Sequence, residues 1–472
     1  MKTISYANII VEGFTFKRIL SIYITHQPNQ HGMAIVEGEV ESDKARDFVN
    51  RVDEKTVVKI TTDAEGQPRN LFCGSVKDAS LKQENEYSVV TLKLNTMSIL
   101  LDVKKHNKSF QKLNDNYSTI IRESIQESIK SEKDNLDITV SDREIKHLIM
   151  QYEETTWEFA LRMASQLDAP LIADIQAEEP QLTIGLPKPR EQKEITGKEY
   201  TYTSNVENYE RFSNAMVQDF SGDRAESYAY AYIGDKIVIN GKSSVIKGVD
   251  AKLVDGILRI HYDLMHLGGS VIGLAAPKTF SKAMGHMIDG KVVGVQKDKV
   301  KVCLTGIGEN KPDDESMVEG VNWLFPFSTV YSSSDGSGWY CMPEKEDAVR
   351  ILFPTGDEKD AFASSAMFAK PPKNPENKVW KAPGGKQILL TKEGMYIIGK
   401  SGKLYINLTD EKGVEVYSDK EINVMSDTKV NICAGKEVHI AAKNEIIIGT
   451  EDAYIDIDKS SAVLTAKKVL VN

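Results

Sequence analysis

Four cysteines, Cys73, Cys303, Cys341 and Cys433, lie far apart in 472 residues and form no CxxC pair. Neither a disulfide scaffold nor a zinc ribbon therefore organises the chain, and folding in a reducing cytosol is the expectation. No run of ~18 apolar residues is present, which excludes a membrane-spanning helix. The opening Met1-Lys2-Thr3-Ile4-Ser5-Tyr6-Ala7-Asn8 has no apolar signal core, so any export is expected to depend on other proteins. Positive charge is not in excess either: 59 Lys and Arg against 69 Asp and Glu give a net charge of −10. An acidic chain has little general attraction for nucleic acid or anionic lipid. What is present is ordinary globular material, 41% hydrophobic and 27% charged, in a length that suggests about three domains at ~150 residues each.

The periodicity predicts a mainly β chain with a small α+β insert. Val57-Val58-Lys59-Ile60-Thr61 and Tyr87 to Leu94 are β-branched and partly alternating, with turn material such as Gly66-Gln67-Pro68 between them. Ile121, Ile125 and Ile129 then recur every four residues behind Asn116 and Ser118, one apolar stripe on a helix. Thr155-Thr156-Trp157-Glu158 has capping-box spacing, and Pro170 is expected to end the helix it opens. These features place a β-barrel with a helical insert at 1–200, the polar run from Pro187 to Gly197 marking its end. A second β-rich barrel follows at 201–284, with strands at Lys236–Ile239 and Gly256–Tyr262. The short strands around Val292, Val300 and Ile351 suit a small closed barrel at 285–369. Prolines 371, 372, 375 and 383 make 370–385 a stiff linker.

From 386 to 472 the sequence becomes self-similar. The apolar pairs Val414/Val416, Ile422/Val424, Val430/Ile432, Val438/Ile440 and Ile446/Ile448 succeed one another at a spacing of eight, and Ile455/Ile457 continue it after one inserted residue. Within each pair the residues lie two apart, so they share one face of a strand. An octad cannot bury its own pair, and repeats of this kind are stable only by stacking on neighbours. Several copies of the chain are therefore expected to wind together with these twelve residues turned to a common axis. Three is the smallest number that closes a prism. A buried Val or Ile contributes ~1.5–3 kcal/mol, much of it offset by the entropy of ordering the strands. A single-chain β-solenoid, acting as a tailspike enzyme or receptor-binding protein on surface polysaccharide, is the alternative.

The order of β-rich region, small barrel and octad tail resembles the type VI secretion spike family, the valine-glycine repeat protein G (VgrG) proteins, and the hub and needle proteins of contractile phage tails. Gln151-Tyr152-Glu153-Glu154-Thr155-Thr156-Trp157-Glu158-Phe159-Ala160-Leu161-Arg162-Met163-Ala164 is similar to that family's Tyr-Glu-Thr helix. Trp323, Pro326, Gly338-Trp339-Tyr340-Cys341-Met342-Pro343, Glu346 to Phe353 and Gly356-Asp357 look like its oligonucleotide/oligosaccharide-binding (OB) signature. The resemblance implies two hub β-barrels, an OB-fold barrel and an intertwined trimeric β-helix needle. It further implies a homotrimer docked on a hexameric tail tube among baseplate proteins, assembled in the bacterial cytoplasm and driven outward through a target envelope on contraction. That role is mechanical and non-enzymatic. The last histidine is His439, so the His-x-His metal cap of some phage needles is missing and a separate proline-alanine-alanine-arginine (PAAR) tip protein is expected.

Catalytic, cofactor and metal residues are accordingly expected to be none. His261, Asp263 and His266 cannot all face one ligand, since 261 and 263 share a strand face and 266 points away. Gly306-Ile307-Gly308-Glu309-Asn310 lacks the P-loop lysine and the third dinucleotide-loop glycine. Ser332 to Ser337 has no nucleophile-elbow spacing and reads as a loop. Asp456 and Asp458 read as solubilising charge. Trp323, Trp339 and Tyr340, with the acids 313–315, 344, 346 and 347 near them, read as barrel core or subunit contacts and not as a nucleic-acid platform.

Overall fold

The computed structural model describes residues 3–42, 45–50, 52–53, 56–64, 66, 68–84, 87–190, 192–194, 200–204, 216–239, 241–279, 281–307, 319–364, 370–450 and 452–470. It divides into two units, Met1–Met367 and Phe368–Asn472.

The first unit opens with strands β1 (Ile9–Val11), β2 (Arg18–His26) and β3 (Met33–Val40), helix α1 (Ala45–Asn50), and strands β4 (Val57–Thr62), β5 (Arg69–Glu84) and β6 (Tyr87–Thr96). An insert follows, made of β7 (Lys105–Phe110), α2 (Tyr117–Ile129), β8 (Leu136–Ile138), β9 (Ile149–Thr155), α3 (Thr156–Gln166), β10 (Leu171–Ala173) and β11 (Leu182–Ile184). The chain then returns through β12 (Gln192–Glu194), β13 (Tyr200–Ser204), β14 (Ser221–Ser227), β15 (Lys236–Ile239), β16 (Lys242–Val254) and β17 (Ile257–His266). Strands β18 (Met287–Gln296), β19 (Lys299–Leu304), β20 (Phe325–Pro326), β21 (Ala348–Leu352) and β22 (Phe362–Ser364) complete the unit.

Strict alternation is what bends these strands around a core. On β2, Ile22, Ile24 and His26 point inward, and on β17 Leu258, Ile260, Tyr262 and Leu264 do so. The strands join in the order β1-β4-β5-β6-β3-β2-β16-β17-β14-β13, with β15 on β16 and β12 on β15. The β2–β16 ladder carries the sheet directly across residue 200, and residues from both sides fill one core. Ahead of β1 the chain bonds back to β17, through Leu258 N to Ile4 O at 2.8 Å and Tyr6 N to Gly256 O at 3.0 Å. The sheet is therefore a nearly closed barrel.

The insert has its own core, in which Ile121 and Ile125 of the α2 stripe meet Trp157, Phe159 and Met163 of α3. The capping box is present: the Glu158 amide donates to Thr155 Oγ1 at 3.1 Å and the Thr155 amide to Glu158 Oε2 at 3.0 Å. Pro170 does not set the helix end. α3 stops at Gln166, and Asp168 turns the chain with φ +55°; Pro170 only precedes β10. Strands β20-β19-β18-β21-β22 form a five-stranded sheet, and a parallel bridge between Phe327 and Ala363 closes it into a small barrel.

The second unit contains two antiparallel meanders. The first is β23 (Lys378–Lys381), β24 (Gln387–Leu390), β25 (Gly394–Ile398), β26 (Leu404–Thr409) and β27 (Gly413–Ser418); the second is β28 (Ile446–Thr450), β29 (Ala453–Ile457) and β30 (Ala462–Thr465). A single-chain solenoid would stack coils and bury its apolar rows. Here neighbouring strands pair antiparallel, and no described residue from 370 to 470 is buried.

Candidate functional site

Period-two alternation makes the second unit two-faced. β26 puts Leu404, Ile406 and Leu408 on one side and Tyr405, Asn407 and Thr409 on the other. Its ladders set Ile406 opposite Val416 and Ile397, and Leu408 opposite Val414 and Met395. Ile388 lies opposite Ile397, and Trp380 opposite Ile388. The outcome is a continuous apolar face with a groove of about 420 Å³ walled by Trp380, Ile388, Ile397, Leu404 and Ile406. The opposite face has the pairing expected against water: Tyr405 and Tyr417 stack at 5.2 Å, and Tyr405 and Asn407 donate to Glu415 at 3.3 and 3.2 Å. The apolar face is thus the more exposed of the two.

The twelve octad residues divide into three sets. Val414 and Val416 belong to the face just described. The β28–β29 register brings Ile446 opposite Ile457 and Ile448 opposite Ile455, so these four share one face. Ile422, Val424, Val430, Ile432, Val438 and Ile440 fall in 419–445, where no strand forms within the chain. Eleven of the twelve are exposed and Ile446 is half-buried. A ladder needs a partner at ~4.8 Å, and the single chain supplies none over that stretch.

A second feature, invisible in the sequence, joins the insert to the small barrel. Arg162 of α3 is buried and donates to both oxygens of Glu154 at 2.9 and 2.8 Å, to Glu358 Oε1 at 3.2 Å and to the Met150 carbonyl. Burial alone would lower the Arg162 pKa; the two carboxylates reverse that and hold it above its ordinary value. Burial pushes the Glu154 carboxyl up, with Arg162 opposing. Nearby, Lys282 grips Glu158 with both distances at 2.9 Å, and Leu148 and Met150 enter the small-barrel core. The Glu154 and Arg162 singled out by the family-like helix thus act with a residue 196 positions away from Arg162.

The remaining candidates have plain structural roles. His261 and Asp263 share the outer face of β17 and His261 lies 3.8 Å from Glu226; among the described residues no group of His, Cys, Asp and Glu could hold a metal ion. Ile307 lies within the small-barrel core and the Gly306 amide donates to the Asp289 carbonyl at 3.0 Å, while 308–310 and the acids 313–315 lie outside the described residues. Asp458 caps its own turn through Ser460 and Ser461. Trp323 packs against the small-barrel core, whereas Trp339 and Tyr340 are exposed, so barrel core does not account for them. Sequence reading missed a Ser98–His31–Asp102 alignment, with Ser98 Oγ 2.8 Å from His31 Nδ1 and Asp102 3.5 Å from Nε2. Ser98 is only 2% exposed and His31 lies against Trp157, so no substrate carbonyl reaches the hydroxyl. His26 lines a cavity of about 220 Å³ with Asp174, Arg190 and Tyr232. Its Nε2 donates to the Ala173 carbonyl at 2.8 Å, and burial pushes its pKa down to about 4, keeping the ring neutral.

No protein-family model and no curated protein matches the sequence. Solved structures do match its fold. The E. coli c3393 protein, described as a component of the type VI secretion system with structural similarity to T4 bacteriophage tail proteins gp27 and gp5, is 13% identical; the match covers 76% of this chain and 99% of that one, at a TM-score of 0.55. A chain of the Francisella PdpA–VgrG complex is 10% identical over 85% of this chain and 76% of its own, at 0.45. The 43 kDa tail protein of prophage MuSo2 from Shewanella oneidensis is 10% identical over 57% and 99%, at 0.42. The chain has the fold of the c3393 protein.

Proposed function

We propose that this chain, which shares the fold of a type VI secretion component, is a structural hub and spike of a contractile injection machine. The observation that carries the reading is the second unit, where an apolar face and the octad residues lie uncovered in one chain. Large contiguous apolar surface on a soluble protein marks an association site, and here exposed apolar residues recur from Trp380 to Leu470. Three copies related by a threefold axis would turn these faces inward, supply ladder partners for 419–445, and convert a segment with no core into a rod. The nearly closed barrel would dock on a hexameric tail tube among baseplate proteins, with a separate PAAR-like protein capping the tip. The chain's own contribution is stiffness: contraction of a sheath would drive the rod through a target envelope, with no bond cleaved by this protein.

Multi-angle light scattering on the purified full chain tests the association. A mass about three times the 52.6 kDa of one chain is expected; a monomer at micromolar concentration overturns the reading.

A further inference from the structure

Between β20 and β21 the chain builds a hairpin outside the barrel's strands. The Trp339 amide donates to the Tyr331 carbonyl and the Ser333 amide to the Ser337 carbonyl, both at 2.8 Å, and Ser332 bridges Gly338. Asp335 receives the Ser337 amide and hydroxyl at 2.9 and 2.6 Å, and Gly336 takes the φ of +87° that the turn requires. The Tyr340 hydroxyl donates to the Lys297 carbonyl at 2.9 Å, pinning the foot of the hairpin to the β18–β19 turn. Its backbone is therefore ordered by its own hydrogen bonds. Its apolar side chains face outward: Val330 is 91% exposed and Tyr340 74%, and Tyr331 and Trp339 are exposed beside them.

The composition identifies the kind of surface this is. From Phe327 to Met342 the single charged residue is Asp335, in a chain that is 27% charged. Charge depletion together with Trp and Tyr is what the centre of a permanent protein interface shows. A nucleic-acid surface would carry Lys and Arg, and a membrane-seated loop would be flanked by them; the flank here is Glu344-Lys345-Glu346-Asp347.

We infer that this hairpin packs on the small barrel of a neighbouring copy of the same chain, a contact that rests on the trimeric reading above and extends it to the first unit. The tether argues for a copy over any other partner. Only residues 365–377 separate β22 from β23, a reach of at most ~45 Å. Once the repeats associate, each hairpin is confined near the next copy's barrel at an effective concentration on the order of mM. A partner so concentrated is the one an uncharged, aromatic surface would bury first.

The experiment replaces Val330, which lies outside the barrel core, with the photo-crosslinking residue p-benzoylphenylalanine in the full chain. Equal amounts of ¹⁴N and ¹⁵N protein are co-refolded, the mass is measured, and the sample is irradiated and digested. A trimeric mass with mixed-isotope cross-links from position 330 into 285–364 is the expected result. A trimeric mass with cross-links absent, confined to one chain, or directed to 1–284 or 386–472 overturns the hairpin contact and leaves the trimer standing. A monomeric mass overturns both.

Discussion

At Arg162 one guanidinium meets two carboxylates with all three side chains no more than 8% exposed. Removing one partner of such a group leaves uncompensated charge in a dry site, which costs about 3–5 kcal/mol, whereas a neutral residue that still accepts a hydrogen bond costs less. Arg162→Met is therefore expected to lower the urea-unfolding free energy of the full chain by about that amount, and Glu358→Gln by about 1–2 kcal/mol. An unchanged midpoint for Arg162→Met would show that the joint is held by apolar packing alone. His26 makes a second prediction at this scale. Its folded pKa of about 4 lies below the ~6.5 of an exposed histidine, so the unfolded state binds the proton first. The neutral ring's contribution is complete above pH 6.5 and is lost as the pH falls toward 4, up to ~3 kcal/mol. Relative to His26→Gln, the native protein should lose more unfolding free energy between pH 7 and 4.5; parallel pH curves for the two would refute the assignment.

At the scale of single elements, local pattern and partner availability separate cleanly. The α3 capping box was legible because Thr155 and Glu158 are three residues apart and need nothing else. The end of α3 was not: Asp168, at φ +55°, turns the chain two residues before Pro170. Strands with an in-chain neighbour, such as β26 and β27, form in one copy, while the octads at 422–440 repeat just as regularly and form none. Periodicity specifies which residues share a face and is silent on what covers it. Substitution tests the assigned face. Val438→Asp would set copies of a carboxylate together in a dry core, which is prohibitive without partners, and is expected to abolish the trimer in light scattering. His439→Asp, at an exposed position paired to Glu437 at 3.0 Å, should leave the mass unchanged. Equal tolerance of both changes would mean that the register is wrong.

For the whole molecule, the two units differ in how they satisfy the hydrophobic effect. The first buries three large cores of its own; the second buries none of its described residues and presents its apolar side chains to solvent. That contrast is what motivates the proposed trimer, which light scattering tests. In the proposed trimer a net charge of −10 per chain would become about −30, which would keep assembled rods apart in solution. Within the first unit, hydrogen bonding between β2 and β16 makes one sheet of what lies on either side of residue 200.

The sequence by itself determined the mainly β character, the helical insert with its cap and the small barrel's strands, because each is written in spacings of two to four residues. Only the tertiary structure decided that the large sheet of the first unit is single and nearly closed, that Arg162 is shared with Glu358, that His31 sits between Ser98 and Asp102, and that Trp339 and Tyr340 stand outside the barrel. The physical reason is common to all four. Backbone preference and alternation act between near neighbours along the chain, whereas ladder closure, charge pairing and burial depend on which distant segments meet, and no local pattern encodes that meeting.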